Sequence, residues 1–148
     1  MARQASMQAA GPSAHPLVHV AAASQDGTAR VWDVEIGDCV LVMEGHAGPV
    51  TNAALAGSVL VTSGQDSTVR VWDMEQGHCL HVLKGHTAAV NAVAITRDAK
   101  TAVSVSSDET ARVWDLKTGH CLHKLPGRRS GADPLPPLRG ACRCQWWC

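Results

Sequence analysis

The strongest constraint on the fold is a segment that occurs three times along the chain. Residues 63–73 read Ser-Gly-Gln-Asp-Ser-Thr-Val-Arg-Val-Trp-Asp, and close copies on either side end in Trp-Asp at Trp32 and Trp114. With Trp72 in the centre, the three Trp-Asp pairs are 40 and 42 residues apart. A period of this size indicates a repeat architecture in which each copy builds one supersecondary unit. The number of units, more than the total length of 148 residues, therefore decides what the chain can fold into.

Other positions repeat with the same spacing. Gly-His pairs precede the second and third copies, at Gly45-His46 and Gly85-His86, but no such pair precedes the first. Short β-branched runs separated by turn residues fill each copy, and this pattern is typical of antiparallel strands. The second and third copies contain four such runs, whereas the first contains three. The sequence therefore predicts three small sheets, of which the first lacks one strand.

The pattern from Gly-His to Trp-Asp resembles that of the WD-repeat family of β-propellers, over residues 17–127. In this family each repeat forms one four-stranded blade around a central channel. The resemblance implies an all-β fold of antiparallel four-stranded blades. Because closed propellers typically need about four to eight blades, we expect an incomplete, open partial propeller here. Similar repeats occur in scaffolds that join a nucleotide-binding NACHT domain to WD repeats, and the sequence leaves the subfamily open.

The repeat also predicts domain boundaries. Residues 1–16 have no strand alternation and are expected to form an irregular N-terminal segment. Residues 128–148 are rich in cysteine and proline without any period, and we expect an unstructured tail. The blades are expected at residues 17–43 (partial), 44–84 and 85–127 (both complete). The missing strand and the abrupt end of the repeat predict a fragment or truncated variant of a longer scaffold protein.

Composition narrows the function classes. Lysine and arginine number 13 and aspartate and glutamate 13, so the formal net charge is zero and binding to nucleic acid or an acidic membrane is not expected. No apolar run approaches the roughly 18 residues of a membrane span, and the N-terminus lacks the apolar core of a signal peptide. The expected location is cytoplasmic. Cys39, Cys79 and Cys121 occupy one position in separate copies, where they are expected to stay reduced.

The sequence predicts no cofactor, no metal and no small-molecule substrate. It contains no glycine-rich phosphate loop of the required spacing. Strand alternation over residues 78–81 places His78 and His81 on opposite faces, which is a poor geometry for metal ligands. These histidines are instead expected to be side chains of an outer strand.

Each complete copy carries a histidine, a hydroxyl residue, an aspartate and a tryptophan at matching positions. They are His46, Thr62, Asp66 and Trp72 in the second copy and His86, Ser104, Asp108 and Trp114 in the third. His86, Ser104 and Asp108 are the residue types of a hydrolase triad, so a hydrolase is one alternative function. The family resemblance implies instead that the aspartate binds the imidazole, which contacts the hydroxyl, which meets the indole nitrogen. We expect this buried structural network, because a catalytic triad has no reason to recur with Thr in one copy and Ser in the other.

Two further expectations concern the same strands. The first copy has Ala22 in place of the hydroxyl residue, so its network around Asp26 and Trp32 is expected to be incomplete. Arginines recur two residues before each tryptophan, at Arg30, Arg70 and Arg112. We expect them to be solvated or rim charges that pair locally.

The resemblance also implies where partners would bind. Family members mostly present the top face and rim of the propeller to other proteins and rarely catalyse a reaction. The corresponding positions precede each turn aspartate or open the first strand of a blade: Gln25, Pro49, Thr51, Gln65, Ala89, Asn91 and Ser107. We therefore expect a non-catalytic scaffold that binds proteins of unidentified type. The sequence is also compatible with a chain that associates with itself, and with one that has no independent activity.

Overall fold

The computed structural model describes residues 18–127, which form eleven β-strands. The strands are β1 (His19–Ala23), β2 (Thr28–Asp33), β3 (Cys39–Glu44), β4 (Val50–Ala56), β5 (Val59–Gly64), β6 (Val69–Asp73), β7 (His78–Leu83), β8 (Val90–Ile95), β9 (Thr101–Ser106), β10 (Thr110–Asp115) and β11 (Cys121–Pro126). Between residues 18 and 127 there is no helix that could span a membrane. The predicted irregular N-terminal segment and unstructured tail lie outside the described residues, as does residue 17 at the predicted start of the first blade.

The strands form three antiparallel sheets in chain order, here called the first, second and third blades. The first blade contains β1 to β3, the second β4 to β7 and the third β8 to β11, and each strand pairs with its neighbour in sequence. The first blade thus has three strands, because no counterpart of β4 or β8 precedes β1 in the described part of the chain. The predicted fold class, an all-β and open set of propeller blades, is confirmed.

The two complete blades differ in their first turn. β4 and β5 are joined by residues 57–58, where Gly57 adopts a φ of 57°. β8 and β9 are joined by residues 96–100, where Thr96 Oγ1 donates to Asp98 Oδ1 over 2.6 Å. The longer connection accounts for the wider spacing between the second and third tryptophans.

Each tryptophan is opposite a repeated cysteine at a β-bulge. In the second blade Val71 pairs with His81 but Trp72 pairs with Cys79, so one residue of β7 is skipped. The bulge puts His78 in register with Asp73, which shares a face with Val71. His78 and His81 therefore lie on the same face, and the prediction of opposite faces was wrong because a bulge breaks simple alternation. Among residues 18–127, no group of three or more His, Cys, Asp or Glu side chains is placed to hold a metal.

The core lies between the blades. We call the side of each sheet that carries the repeat tryptophan its Trp face, and the opposite side its Val face. Trp72 packs among Val31, Leu41 and Met43 from the Val face of the first blade. Trp114 packs in the same way against the Val face of the second blade, which contributes the buried residues Val61, Val69, Val71 and Leu83. Each interface thus joins the Val face of one blade to the Trp face of the next.

Candidate functional site

The turn between β9 and β10 holds a carboxylate that binds several donors. Asp108 Oδ1 accepts from the backbone N–H of Thr110 over 2.9 Å and from its hydroxyl over 2.6 Å. Asp108 Oδ2 accepts from the N–H of Thr87 over 3.1 Å and lies 2.8 Å from His86 Nδ1. Glu109, the next residue, adopts a φ of 61°, which lets the chain turn tightly behind the carboxylate. The turn is therefore fastened to the segment that connects the second and third blades.

The hydrogen bonds continue from the histidine into the sheet. His86 Nε2 lies 2.7 Å from Ser104 Oγ, and Trp114 donates its indole N–H to the same oxygen over 2.8 Å. A carboxylate can only accept, so Nδ1 of His86 carries the proton and Nε2 is the acceptor. The Ser104 hydroxyl then accepts from Trp114 and donates to His86. Every group in the series then has a partner.

The second blade repeats this geometry with a threonine. His46 Nδ1 lies 3.0 Å from Asp66 Oδ2, and Nε2 lies 2.8 Å from Thr62 Oγ1. Trp72 donates its indole N–H to Thr62 Oγ1 over 2.9 Å. Thr62 and Ser104 are both fully buried. The structure thus brings together all four side chains of each predicted set.

Burial and hydrogen bonding shift the protonation of this network. Burial lowers the pKa of His46 below its ordinary value and outweighs the opposing effect of the Asp66 carboxylate. For Asp108, burial favours the neutral acid, but the bonds from Thr110, His86 and Thr87 together outweigh it and lower the pKa. The pKa of Asp66 is lowered in the same way, since bonds from Ala47 and Thr68 outweigh its burial. Both aspartates are therefore charged at neutral pH, and His46 is neutral.

The first blade has no comparable network within the described residues. Asp26 is exposed and accepts from Thr28, over 2.9 Å from the backbone N–H and 2.6 Å from the hydroxyl. Ala22, in register with Arg30, offers no hydroxyl to the indole of Trp32. Trp32 is also exposed, unlike its two counterparts.

Two arginines take a different position from the one expected. The guanidinium groups of Arg70 and Arg112 lie over the rings of Trp72 and Trp114, 5.9 and 5.8 Å from the ring centroids. Arg112 Nη2 also donates to the Gly85 carbonyl over 2.7 Å. Both residues are half-buried against a tryptophan, so the solvated alternative was wrong for them.

The sequence contains a signal for this stacking that the prediction missed. Residues two apart on a strand share a face, so Arg and Trp at that spacing lie side by side. Gly85, which precedes His86, has a φ of 155° that side chains rarely adopt, and a Cβ there would lie 2.6 Å from Arg112 Nη1. Arg30 has the expected local partner, with Nη2 lying 3.5 Å from Asp26 Oδ2.

The residues expected to bind partners lie where β-turns meet the first strands of the blades. Gln25, Gln65, Asn91 and Ser107 are exposed, whereas Pro49, Thr51 and Ala89 are half-buried. Gln65 N donates to Pro49 O and Ser107 N donates to Ala89 O, both over 2.9 Å, so these positions adjoin in pairs. Asn91 Nδ2 also donates to Ser107 Oγ over 3.1 Å.

Thr51 has a structural contact that the sequence did not indicate. Its hydroxyl lies 2.9 Å from Ser63 Oγ and donates to the Val90 carbonyl of the third blade. Thr51 therefore links two blades, and its hydroxyl already makes hydrogen bonds within the chain.

Comparison with known families identifies the repeat. A family model described as "WD domain, G-beta repeat" matches residues 12–33, 37–73 and 77–115, which together make up more than half of the chain. Each match ends at a Trp-Asp pair. A comparison with curated proteins found no significant match.

Proposed function

The chain belongs to the WD-repeat family, and on that basis we propose that it is a non-catalytic scaffold that binds other proteins. The observation that carries this proposal is the burial and hydrogen bonding of the two hydroxyls that could act as nucleophiles. Ser104 and Thr62 are fully buried, and each accepts an indole N–H and contacts a histidine. The polar groups of both networks are thus directed to one another and not to a substrate.

A hydrolase is the alternative, because Ser104, His86 and Asp108 are the residue types of a catalytic triad. Nucleophilic attack requires a hydroxyl that a substrate carbonyl can reach and donors that would stabilise the oxyanion. The Ser104 oxygen has no solvent exposure, and it is bonded to the Trp114 indole as well as to His86. The same geometry around Thr62 favours a structural role for both copies.

We place the partner-binding surface at the exposed residues Gln25, Gln65, Asn91 and Ser107, with the half-buried Pro49, Thr51 and Ala89 between them. These seven residues are here called the upper surface. This surface is polar and carries no formal charge at these positions, and the chain as a whole has a net charge of zero. A protein surface suits it better than nucleic acid, an acidic membrane or a charged small molecule.

Three finer parts of the proposal concern context. In the part of the chain that the structure describes, two blade faces have no neighbouring blade, which supports a fragment or truncated variant of a longer scaffold, or a chain that associates with itself. A cytoplasmic location fits the free thiols of Cys39, Cys79 and Cys121, which lie on three different blades. The boundaries proposed for the blades remain residues 17–43, 44–84 and 85–127.

The test compares proteins retained by the full chain with those retained by two variants. A triple variant, Gln25→Arg, Gln65→Arg and Ser107→Arg, alters the upper surface. A matched control, Glu35→Arg, Glu75→Arg and Lys117→Glu, alters exposed residues in the turns that follow the Trp-Asp pairs. Proteins retained by the wild type and the control but lost by the triple variant would support the proposal. Equal retention by all three, or labelling of Ser104 by a fluorophosphonate probe, would overturn it.

A further inference from the structure

We propose that copies of this chain assemble head to tail, with the Val face of the third blade of one copy packed on the Trp face of the first blade of the next. Such assembly rests on the proposed scaffold function and extends it, since it would present several upper surfaces in one particle. It uses surfaces different from the upper residues, so the two can be tested separately.

The Trp face of the first blade is an interface without a partner in the described chain. Trp32 is 37% exposed, whereas Trp72 and Trp114 at the same repeat position are 3% and 1% exposed. Val20, which pairs with Trp32 across the sheet, is exposed as well, although its counterpart Leu60 is fully buried. Covering an apolar surface of this kind lowers the free energy.

The Val face of the third blade has the complementary property. Val103 and Leu125 are 36% and 49% exposed, while their counterparts Val61 and Leu83 in the second blade are 0% and 1% exposed. The strand register establishes the correspondence, because Val103 pairs with Val113 as Val61 pairs with Val71. The third blade therefore presents the surface that the second blade uses to bury Trp114.

A second copy is the occupant for which the chain itself supplies the fit. The Val face of one blade packs on the Trp face of the next at both internal interfaces. Among residues 18–127, one Trp face and one Val face have no neighbouring blade, at opposite ends of the stack. A contact between copies would repeat an interface whose packing the molecule already contains.

The polar groups at the two ends are also complementary. In the third blade Arg112 stacks on Trp114 and donates to the carbonyl of Gly85 in the preceding connection. Arg30 holds the same position in the first blade, but its side chain is 46% exposed and its partner is the exposed Asp26. Gly127 follows Leu125 in the same way that Gly85 follows Leu83, with one residue between. We therefore place Gly127 of one copy against Arg30 of the next.

This contact is heterologous, so each copy uses one face and leaves the other free for a further copy. It is expected to be weaker than the internal interfaces, because the described part of the first blade has no counterpart of β4 or β8, and these strands pack between neighbouring blades. The assembly should accordingly depend on concentration.

Two complementary variants of the full chain test the geometry. Trp32→Arg disables the Trp face, and Leu125→Glu disables the Val face. Because both side chains are exposed, each variant should keep the wild-type circular dichroism spectrum, and Val103→Glu serves as a second Val-face variant if Leu125→Glu does not. Ile36→Arg, at an exposed apolar residue in a turn, is the matched control.

Light scattering should give a mass above that of one chain for the wild type and for Ile36→Arg, rising with concentration. Each face variant alone should be monomeric, and a mixture of Trp32→Arg with Leu125→Glu should form a 1:1 complex through the two intact faces. A wild type that stays monomeric at all concentrations would overturn the proposal. The same result is expected if another segment of the chain covers one of the two faces. A face variant that dimerises alone, or a mixture that does not associate, would overturn the proposal as well. None of these outcomes depends on the upper-surface residues, whose failure would appear only in the partner comparison.

Discussion

The indole nitrogen of Trp114 lies 2.8 Å from the Ser104 hydroxyl oxygen, deep in the third blade. Through His86 and Asp108 this contact extends to the backbone N–H of Thr87, in the segment that leads from the second blade. A single series of hydrogen bonds therefore connects the centre of one sheet to the link with its neighbour. We expect this series to hold the blades at a defined position, because buried polar groups bond only in a narrow geometry.

Replacement of Asp108 by alanine should destabilise the chain by about 1 to 3 kcal/mol, because it leaves several donors without an acceptor. The affected donors belong to Thr87, Thr110 and His86. Denaturant unfolding followed by circular dichroism measures the change. Asp98→Ala is the control, since Asp98 is exposed and binds only Thr96 and Lys100 in its own turn. Equal loss of stability in the two variants would contradict the structural role of Asp108.

Ser104 offers a comparison that separates a structural hydroxyl from a catalytic one. Ser104→Ala should cost about 1 to 3 kcal/mol, since the Trp114 N–H and His86 lose their shared partner in a buried site. Ser104→Thr should cost less, because Thr62 makes the same contacts in the second blade. Thermal unfolding of both variants gives the order. A Ser104→Ala protein as stable as the wild type would show that these hydrogen bonds do not support the fold.

The strands and the polar sets could be read from the sequence because they depend on local pattern. Short β-branched runs and turn residues predicted three small sheets with one strand missing from the first, and the repeat brought His, hydroxyl, Asp and Trp into matching positions. The positions of His81 and Arg112 could not be derived in this way. His81 depends on a bulge opposite Trp72, and Arg112 depends on how closely the Gly85 connection approaches the sheet. Both are consequences of packing between elements, which residue spacing alone does not encode.

The stacked arginines should respond to substitution according to their burial. Arg112→Lys removes a planar group over Trp114 and a hydrogen bond to Gly85, and should cost about 1 kcal/mol. Arg30→Lys, at the same repeat position, should change stability little, because its ion pair with Asp26 is exposed. Urea unfolding in dilute solution, where contacts between copies are negligible, gives both values. A larger effect at Arg30 than at Arg112 would contradict the assigned contacts.

Stability should fall in two steps as the pH is lowered. The pKa of His46 is lowered on folding, so the unfolded chain takes up this proton first and stability declines as the pH falls through the ordinary value of 6.5. The pKa values of Asp108 and Asp66 are also lowered on folding, so the stability they provide is complete above the ordinary value of 3.8 and is lost as the pH falls below it. The free energy of unfolding, measured between pH 8 and pH 3, should therefore decline in two separate ranges.

A His46→Gln variant assigns the upper range. Glutamine does not titrate, so the decline through pH 6.5 should become shallower, while the decline below pH 3.8 should persist because Asp108 is unchanged. The variant is expected to be less stable at neutral pH, since glutamine cannot bridge Thr62 and Asp66 as the imidazole does. Only the slope against pH bears on the assignment. A wild-type profile that is flat from about pH 7.5 to pH 5, or one whose upper slope survives the His46→Gln change, would show that this buried histidine does not control the acid response.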